Sequence, residues 1–258
     1  MIKFQSFLSG SSGNATFVTD DSVSLLVDCG ANGKYITECM RRIGAEPEKL
    51  SGILITHEHR DHIAGAGVLS RKYDLPIYAT KKTWDALGDS LGPIRDKNRR
   101  LAEQEMTFDS LTVQLFSVPH DAADPVGYSF LTDHHKFSIA TDIGHLSKEL
   151  EKHLFGSDVV IIEANHDVEM LTKGRYPYYL KKRILGEKGH LSNELCGKLC
   201  ASLVKNGTCS IWLGHLSAEN NRPLKAYETV ANILADDDIT VGSGVSLNVL
   251  PRYWITQE

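Results

Sequence analysis

The first 28 residues fall into short apolar or alternating runs at 2–8, 15–19 and 23–28, separated by Ser9-Gly10-Ser11-Ser12-Gly13-Asn14 and Asp20-Asp21. Alternation with a period of two, broken by Gly, Ser, Asn and Asp, is the pattern of strands joined by tight turns, so an antiparallel start is expected. The spacing then turns helical at 34–43, extended at 52–56, helical at 63–73 and extended again at 76–79, before a charged region at 81–105. Strands are predicted at 111–118, 127–132 and 136–140, then a helix at 147–154 and a buried strand at 158–164. A helix at 192–205, a strand at 210–214, a helix at 224–234 and a strand at 245–250 complete the pattern. Two blocks of strands, each followed by helices, predict an α/β (α+β) fold in which two sheets, mostly antiparallel or mixed, pack face to face with helices outside. No internal period, low-complexity tract or Pro/Gly/Ser linker divides the chain, so residues 1–258 are expected to form one domain.

Composition changes little in this picture. With 258 residues and 41% hydrophobic content the chain can build its core without disulfides or a structural metal, so any metal is expected to serve function. Residues 1–8 are too short an apolar run for a signal peptide, and no stretch reaches the roughly 18 apolar residues of a membrane span, so a cytoplasmic protein without membrane contact is expected. Cys29, Cys39, Cys196, Cys200 and Cys209 include no C-x-x-C pair and fit reduced thiols better than disulfides or a zinc ribbon. The unusual number is 11 histidines.

They cluster. His57-Glu58-His59-Arg60-Asp61-His62 follows the apolar run Ile53-Leu54-Ile55-Thr56. In extended backbone, residues two apart share a face, so His57 and His59 can aim at one metal, and a turn into the next helix swings Asp61 and His62 toward a neighbouring position. Three imidazoles and a carboxylate within six residues suit two divalent ions side by side, with zinc and manganese the candidates. Further candidate ligands sit just past apolar strands: His120, Asp142, which could bridge both ions, and His215. His134, His135, His145 and His153 have no such setting and read as surface residues.

The series His57-x-His59-x-Asp61-His62, with Asp28 in Leu25-Leu26-Val27-Asp28, then His120, Asp142 and His215, resembles the motif set of the metallo-β-lactamase superfamily along essentially the whole chain. That resemblance implies a four-layer αβ/βα sandwich with a dinuclear site on the sheet edge. It implies His57, His59, His120 and bridging Asp142 around one ion, Asp61, His62, His215 and the same Asp142 around the other, and Asp28 behind them orienting the histidine loop. Ser9 to Asn14, Asn165-His166-Asp167 and Gly189-His190-Leu191-Ser192-Asn193 together resemble the YycJ/WalJ-like subfamily, described as exonucleases acting on DNA from 5′ ends.

Charge points the same way. Between Lys173 and Lys188, six basic residues face Glu187 alone, and Tyr176, Tyr178 and Tyr179 interleave with them. Such a segment suits phosphates and stacked bases, with Lys181, Lys182, Arg183 and Tyr178 as expected contacts. A second cluster holds Arg95, Lys97, Arg99 and Arg100. The expected activity is hydrolysis of phosphodiesters in nucleic acid, DNA rather than RNA, by a hydroxide held between the metals. Asp61, His166 and His190 are the catalytic candidates beyond the ligand set, and Ser192 and Asn193 lie where a helix N-terminus would meet a phosphate. The alternative is a small-molecule phosphodiesterase or another metallohydrolase on the same site.

Overall fold

Successive side chains of a strand point to opposite faces, so a strand with no polar positions must be covered on both sides. The computed structural model describes residues 1–254, and strands inside its two sheets, such as Ser24–Val27, Gly52–Leu54 and Val159–Glu163, are buried along nearly their whole length. The first holds β1 (Lys3–Leu8), β2 (Ala15–Thr19), β3 (Ser24–Val27), β4 (Gly52–Leu54), β5 (Ile77–Ala79) and β6 (Arg99–Leu101), side by side in chain order. The second holds β7 (Glu105–Phe108), β8 (Leu111–Ser117), β9 (Val126–Thr132), β10 (His135–Ala140), β11 (Val159–Glu163), β12 (Ser210–Gly214) and β13 (Ser246–Val249), again in chain order. Both are mixed: β1 to β3 and β7 to β10 pair antiparallel, while β3 to β6 and β10 to β13 pair parallel.

Period-two alternation sorts the apolar side chains into layers. Leu25, Val27 and Leu54 point between the sheets, where they meet Val113, Tyr128, Phe130, Phe137 and Ile161. Their neighbours Leu26, Ile53 and Ile55 point outward to helices α1 (Gly33–Arg42), α3 (Ala66–Tyr73) and α4 (Lys81–Leu87). On the other side, Val160 and Ile162 meet α5 (Lys148–Leu154), α8 (Asn193–Lys205) and α9 (Pro223–Asp236). The result is the expected four-layer sandwich, helices on sheet on sheet on helices. Cys196 and Cys200 lie buried within α8, their sulfurs 3.8 Å apart, and pack as small apolar groups.

The helix expected at 63–73 is split into α2 (Arg60–Ile63) and α3 at Gly65, where a Cβ would lie 2.2 Å from the Ala31 carbonyl. The charged region 81–105 hides α4, β6 and β7, because α4 buries little beyond Thr83, Trp84 and Leu87 and all three residues of edge strand β6 are exposed. Its basic cluster is occupied locally: Arg95 and Lys97 pair with Asp74, and Arg99 lies 4.6 Å over the Trp84 ring. The basic segment before α8 also folds, as α6 (Val168–Lys173) and α7 (Tyr178–Ile184). Among the described residues, no helix is long and apolar enough to cross a membrane.

This topology aims chain ends at one rim. Parallel strands β3 and β4 end beside each other, delivering Asp28 and the His57 loop, while β10, β11 and β12 end together at Asp142, Glu163 and His215. Because β8 and β10 both run antiparallel to β9, His120 emerges on that rim too. Within the first half, the segments after β1, β3 and β4 meet at Gly30, whose N–H donates to Asn14 O at 2.7 Å. A Cβ there would lie 1.7 Å from the Asp61 carbonyl, and both flanking segments are backbone that cannot swing aside. Gly30→Ala is therefore expected to destabilise the protein by about 1–3 kcal/mol or more, read from the urea midpoint, and an unchanged midpoint would contradict this packing.

Candidate metal centre

Three of the rim residues leave their strands in the left-handed backbone region: Asp28 (φ 58°), Asp142 (φ 60°) and His215 (φ 55°). Non-glycine residues seldom adopt it, because Cβ crowds the backbone, and such strain persists where the surroundings fix it. Here hydrogen bonds fix it. The His215 N–H donates to Ser9 Oγ at 2.9 Å and its carbonyl accepts from Asn165 Nδ2 at 3.0 Å. The Asp28 carboxylate accepts from Thr56 N at 2.9 Å and from Thr56 Oγ1 at 2.9 Å.

The imidazoles are oriented from behind. A carboxylate can only accept, so His62 Nδ1, 2.7 Å from Asp28 Oδ2, must carry the proton of that bond, which leaves Nε2 as the nitrogen that faces the rim and offers its lone pair once deprotonated. His215 Nδ1 donates in the same way to Glu163 Oε1 at 2.6 Å, and His120 Nδ1 donates to the Gly189 carbonyl at 3.0 Å. Thr56 Oγ1 spends its proton on Asp28 and accepts from His57 Nδ1 at 3.0 Å. The outward nitrogens converge: Asp142 Oδ2 lies 3.3 Å from His62 Nε2, and Asp142 Oδ1 lies 3.6 Å from both His120 Nε2 and His215 Nε2. Asp61 Oδ2 lies 3.5 Å from His62 Nε2 and 3.8 Å from His215 Nε2. The half-exposed His59 ring stands 4.6 Å from that of His57 and 5.2 Å from that of His120.

Most of these groups are buried, yet the Nε2 atoms of His57, His120 and His215 and Oδ2 of Asp142 have no hydrogen-bond partner among the described residues. Buried polar atoms without partners are costly, and a ring of lone pairs facing one another is the donor chemistry of divalent cations. Ligand atoms come within 4.8 Å of one another in the groups His57, His59, His120; His57, His62, Asp142; and Asp61, His62, His215. The residues therefore fit a metal, and Asp142 borders both halves. Without one, burial disfavours charge on His62 and His215, but nearby carboxylates outweigh it: Asp28 and Asp142 hold His62 well above the usual imidazole range, and Asp142, Asp61 and Glu163 raise His215 to about 10. Burial pushes His57 and His120 below it.

Glu163 was not singled out from the sequence. It is fully buried, and besides His215 it accepts from His190 Nδ1 at 2.9 Å, Ile143 N at 2.7 Å and Leu191 N at 3.0 Å, so it ties three loops together. The available signal was its position at the end of an apolar strand, the same place that marks Asp142 and His215. Asn14 is a second such residue: its N–H donates to Asp61 O at 2.8 Å and its amide lies 3.1 Å from His62 Nε2.

The other residues picked from the sequence lie around this centre with differing freedom. His190 is partly exposed, 3.7 Å from Asp142 Oδ1, and its ring lies 5.1 Å from that of His120. His166 is 1% exposed, neither of its ring nitrogens has a partner among the described residues, and burial lowers its pKa to about 4. Ser192 caps α8, its Oγ accepting from Leu195 N at 3.2 Å. Asn193 does not reach the rim: it is completely buried in a reciprocal amide pair with Asn221. On α7, Tyr178 is 81% exposed, Lys181 donates to Thr172 O at 2.8 Å, and Arg183 is held by Asp121 at 2.5 and 3.0 Å, next to His120.

Comparison with known proteins agrees with this geometry. The profile of the Beta-lactamase superfamily domain matches residues 24–210. Exodeoxyribonuclease WalJ of Streptococcus pneumoniae is 43% identical over 244 residues, covering 93% of this chain and 91% of that protein. Exodeoxyribonuclease YycJ of Bacillus anthracis is 39% identical over 249 residues, covering 96% and 94%. Among solved structures, the metallo-beta-lactamase fold protein YhfI of Bacillus subtilis superposes with a TM-score of 0.72 at 15% identity, over 98% of both chains, a likeness of fold.

Two outcomes follow from the electrostatics. The raised pKa values of His62 and His215 mean that a metal must displace their protons near neutral pH, so calorimetry in buffers of different ionisation enthalpy should record proton release, and none would contradict the arrangement. In the metal-free protein, His215 stabilises the fold fully below its unfolded value near 6.5 and progressively less as pH rises toward about 10, so stability should fall over that interval. Glu163→Gln should leave the fold intact but weaken metal binding about 10- to 100-fold, measured by competition with a chelating dye; unchanged affinity would remove Glu163 from this role.

Proposed function

The chain belongs to the β-lactamase superfamily, and from that footing we propose that it is a metal-dependent phosphodiesterase, an exodeoxyribonuclease degrading duplex DNA from 5′ ends. The observation that carries the reading is the converging donor set beside a basic helix: seven side chains with unshared pairs face one rim, and Arg183 of α7 is tied to Asp121 at its border. The near full-length likeness to two proteins named exodeoxyribonuclease supports DNA as the substrate class. The absence of a membrane-spanning helix among the described residues is compatible with action on DNA in the cytoplasm.

His57, His59 and His120 would hold one divalent ion, Asp61, His62 and His215 a second, and Asp142 both, with zinc or manganese suited to a donor set of imidazole and carboxylate. Bound there, such ions supply Lewis acidity and bring the pKa of a water toward neutrality, making it a nucleophile for phosphorus. The chain's own residues do the rest. Glu163 accepts from His190 Nδ1 at 2.9 Å and so orients the ring, and His190, at the edge of the centre, is the group to protonate the departing oxygen. His166 is too deeply buried and too weakly basic for that role. Lys181, Lys182 and Tyr178 form the track for the phosphate backbone, with Ser192 at the head of α8. Asn193, bound to Asn221, positions that helix instead of touching substrate.

The direct test incubates 5′- and 3′-labelled single-stranded and duplex DNA and RNA with the protein and Mn²⁺ or Zn²⁺, beside Asp61→Ala. Release of mononucleotides from 5′ ends of duplex DNA is expected, with Asp61→Ala inactive; intact nucleic acid, or equal degradation by the variant, would refute the reading. Reversing Lys181 and Lys182 to Glu should weaken DNA binding and lower the salt slope by about 2, whereas an unchanged slope would move the track elsewhere.

A further inference from the structure

A cavity of about 460 Å³ opens beside the metal centre, and His190 forms the wall between them. Its sides are apolar and solvent-facing: Val168 at the start of α6, Leu185 just past α7 and Leu195 in the first turn of α8 are 37%, 49% and 38% exposed. Large apolar side chains left in water around one hollow signal a ligand surface more than a scatter of surface residues does. The polar lining lies deeper. His166, 1% exposed, lines the cavity with no partner among the described residues for either ring nitrogen, and Oε2 of Glu194, another lining residue, is buried and also unpartnered among them. The hollow is held open by backbone: a Cβ on Gly144 would lie 2.2 Å from the Glu187 carbonyl, so the Asp142 loop and the His190 loop can approach this closely only through glycine.

Apolar walls with hydrogen-bonding groups beneath them match a flat heteroaromatic ring whose faces are apolar and whose edge carries donors and acceptors. A sugar or a bare phosphate would leave the three apolar walls unsatisfied. Burial keeps the His166 imidazole neutral, so it can offer one donor and one acceptor in either tautomer, which tolerates any base edge. The position fits as well: the cavity adjoins the catalytic rim through His190, and the basic helix α7 ends at its mouth at Leu185.

We propose that this cavity receives the terminal nucleobase of the strand being cut, with Leu185, Leu195 and Val168 gripping its faces and His166 meeting its edge. The inference rests on the exonuclease reading and deepens it: a pocket for one terminal base places the end of the strand, and so the first phosphodiester, at the metals.

The test compares DNA whose terminal nucleotide carries a base with the same strand ending in an abasic tetrahydrofuran residue, using the metal-loaded protein and its Leu185→Ser/Leu195→Ser variant. Both leucines are exposed enough for the variant to fold, and its metal content together with its rate on the abasic end reports an intact centre. The wild type should cut the natural end about tenfold more efficiently than the abasic end, and the variant should lose that preference while cutting the abasic end at the wild-type rate. Equal rates on natural and abasic ends in the wild type would overturn the pocket while leaving the nuclease reading standing, as would a variant that keeps the full preference. Failure of the wild type to cut any DNA would instead defeat the nuclease reading, and the pocket with it.

Discussion

Putting imidazoles and carboxylates together out of water is unfavourable unless each buried polar atom has a partner, and this one rim concentrates them. The protein meets half of the requirement itself. Asp28, Thr56, Glu163 and the Gly189 carbonyl take up the Nδ1 protons of His62, His57, His215 and His120, which sets each ring's tautomer and turns Nε2 inward. Nε2 of His57, His120 and His215 has no partner among the described residues, so the energetic case for a cation is the complement of the hydrogen bonds behind it.

The fold is arranged around that constraint. Two halves of similar design bring strand ends to one edge, the first supplying the His57 loop and the second Asp142, Glu163 and His215. The strained backbone at Asp28, Asp142 and His215 shows how sharply the chain must turn to deliver these groups just past its strands. Function then depends on rigid sheet ends, while the surrounding α6, α7 and the start of α8 give the rim its charge and its apolar hollow.

Much of this was legible in the sequence, because strands buried on both faces leave long apolar runs and a metal cluster leaves a dense local motif. The order of strands and helices follows the predicted pattern closely, and the ligand candidates found at strand ends do converge. Illegible parts share a cause: their burial depends on distant partners. Helix α4 and strand β6 carry more charge than apolar periodicity, and α6 and α7 are short and largely exposed. Glu163 was hidden because a lone carboxylate ending a strand has no local companions; the His190 and His215 that it holds are 27 and 52 residues away. Asn193 looked like a phosphate contact at a helix start, but its amide is consumed by Asn221, a contact 28 residues away that spacing cannot reveal. The second basic cluster is likewise tied to Asp74 and Trp84.

The central claim is that these side chains form a site for two ions sharing Asp142, and metal content per chain measures it most directly. After reconstitution with Mn²⁺ or Zn²⁺ and removal of excess ion, elemental mass spectrometry should count two ions per chain in the wild type and one in Asp61→Ala. No tightly held ion in the wild type, or the same count in both proteins, would contradict the account.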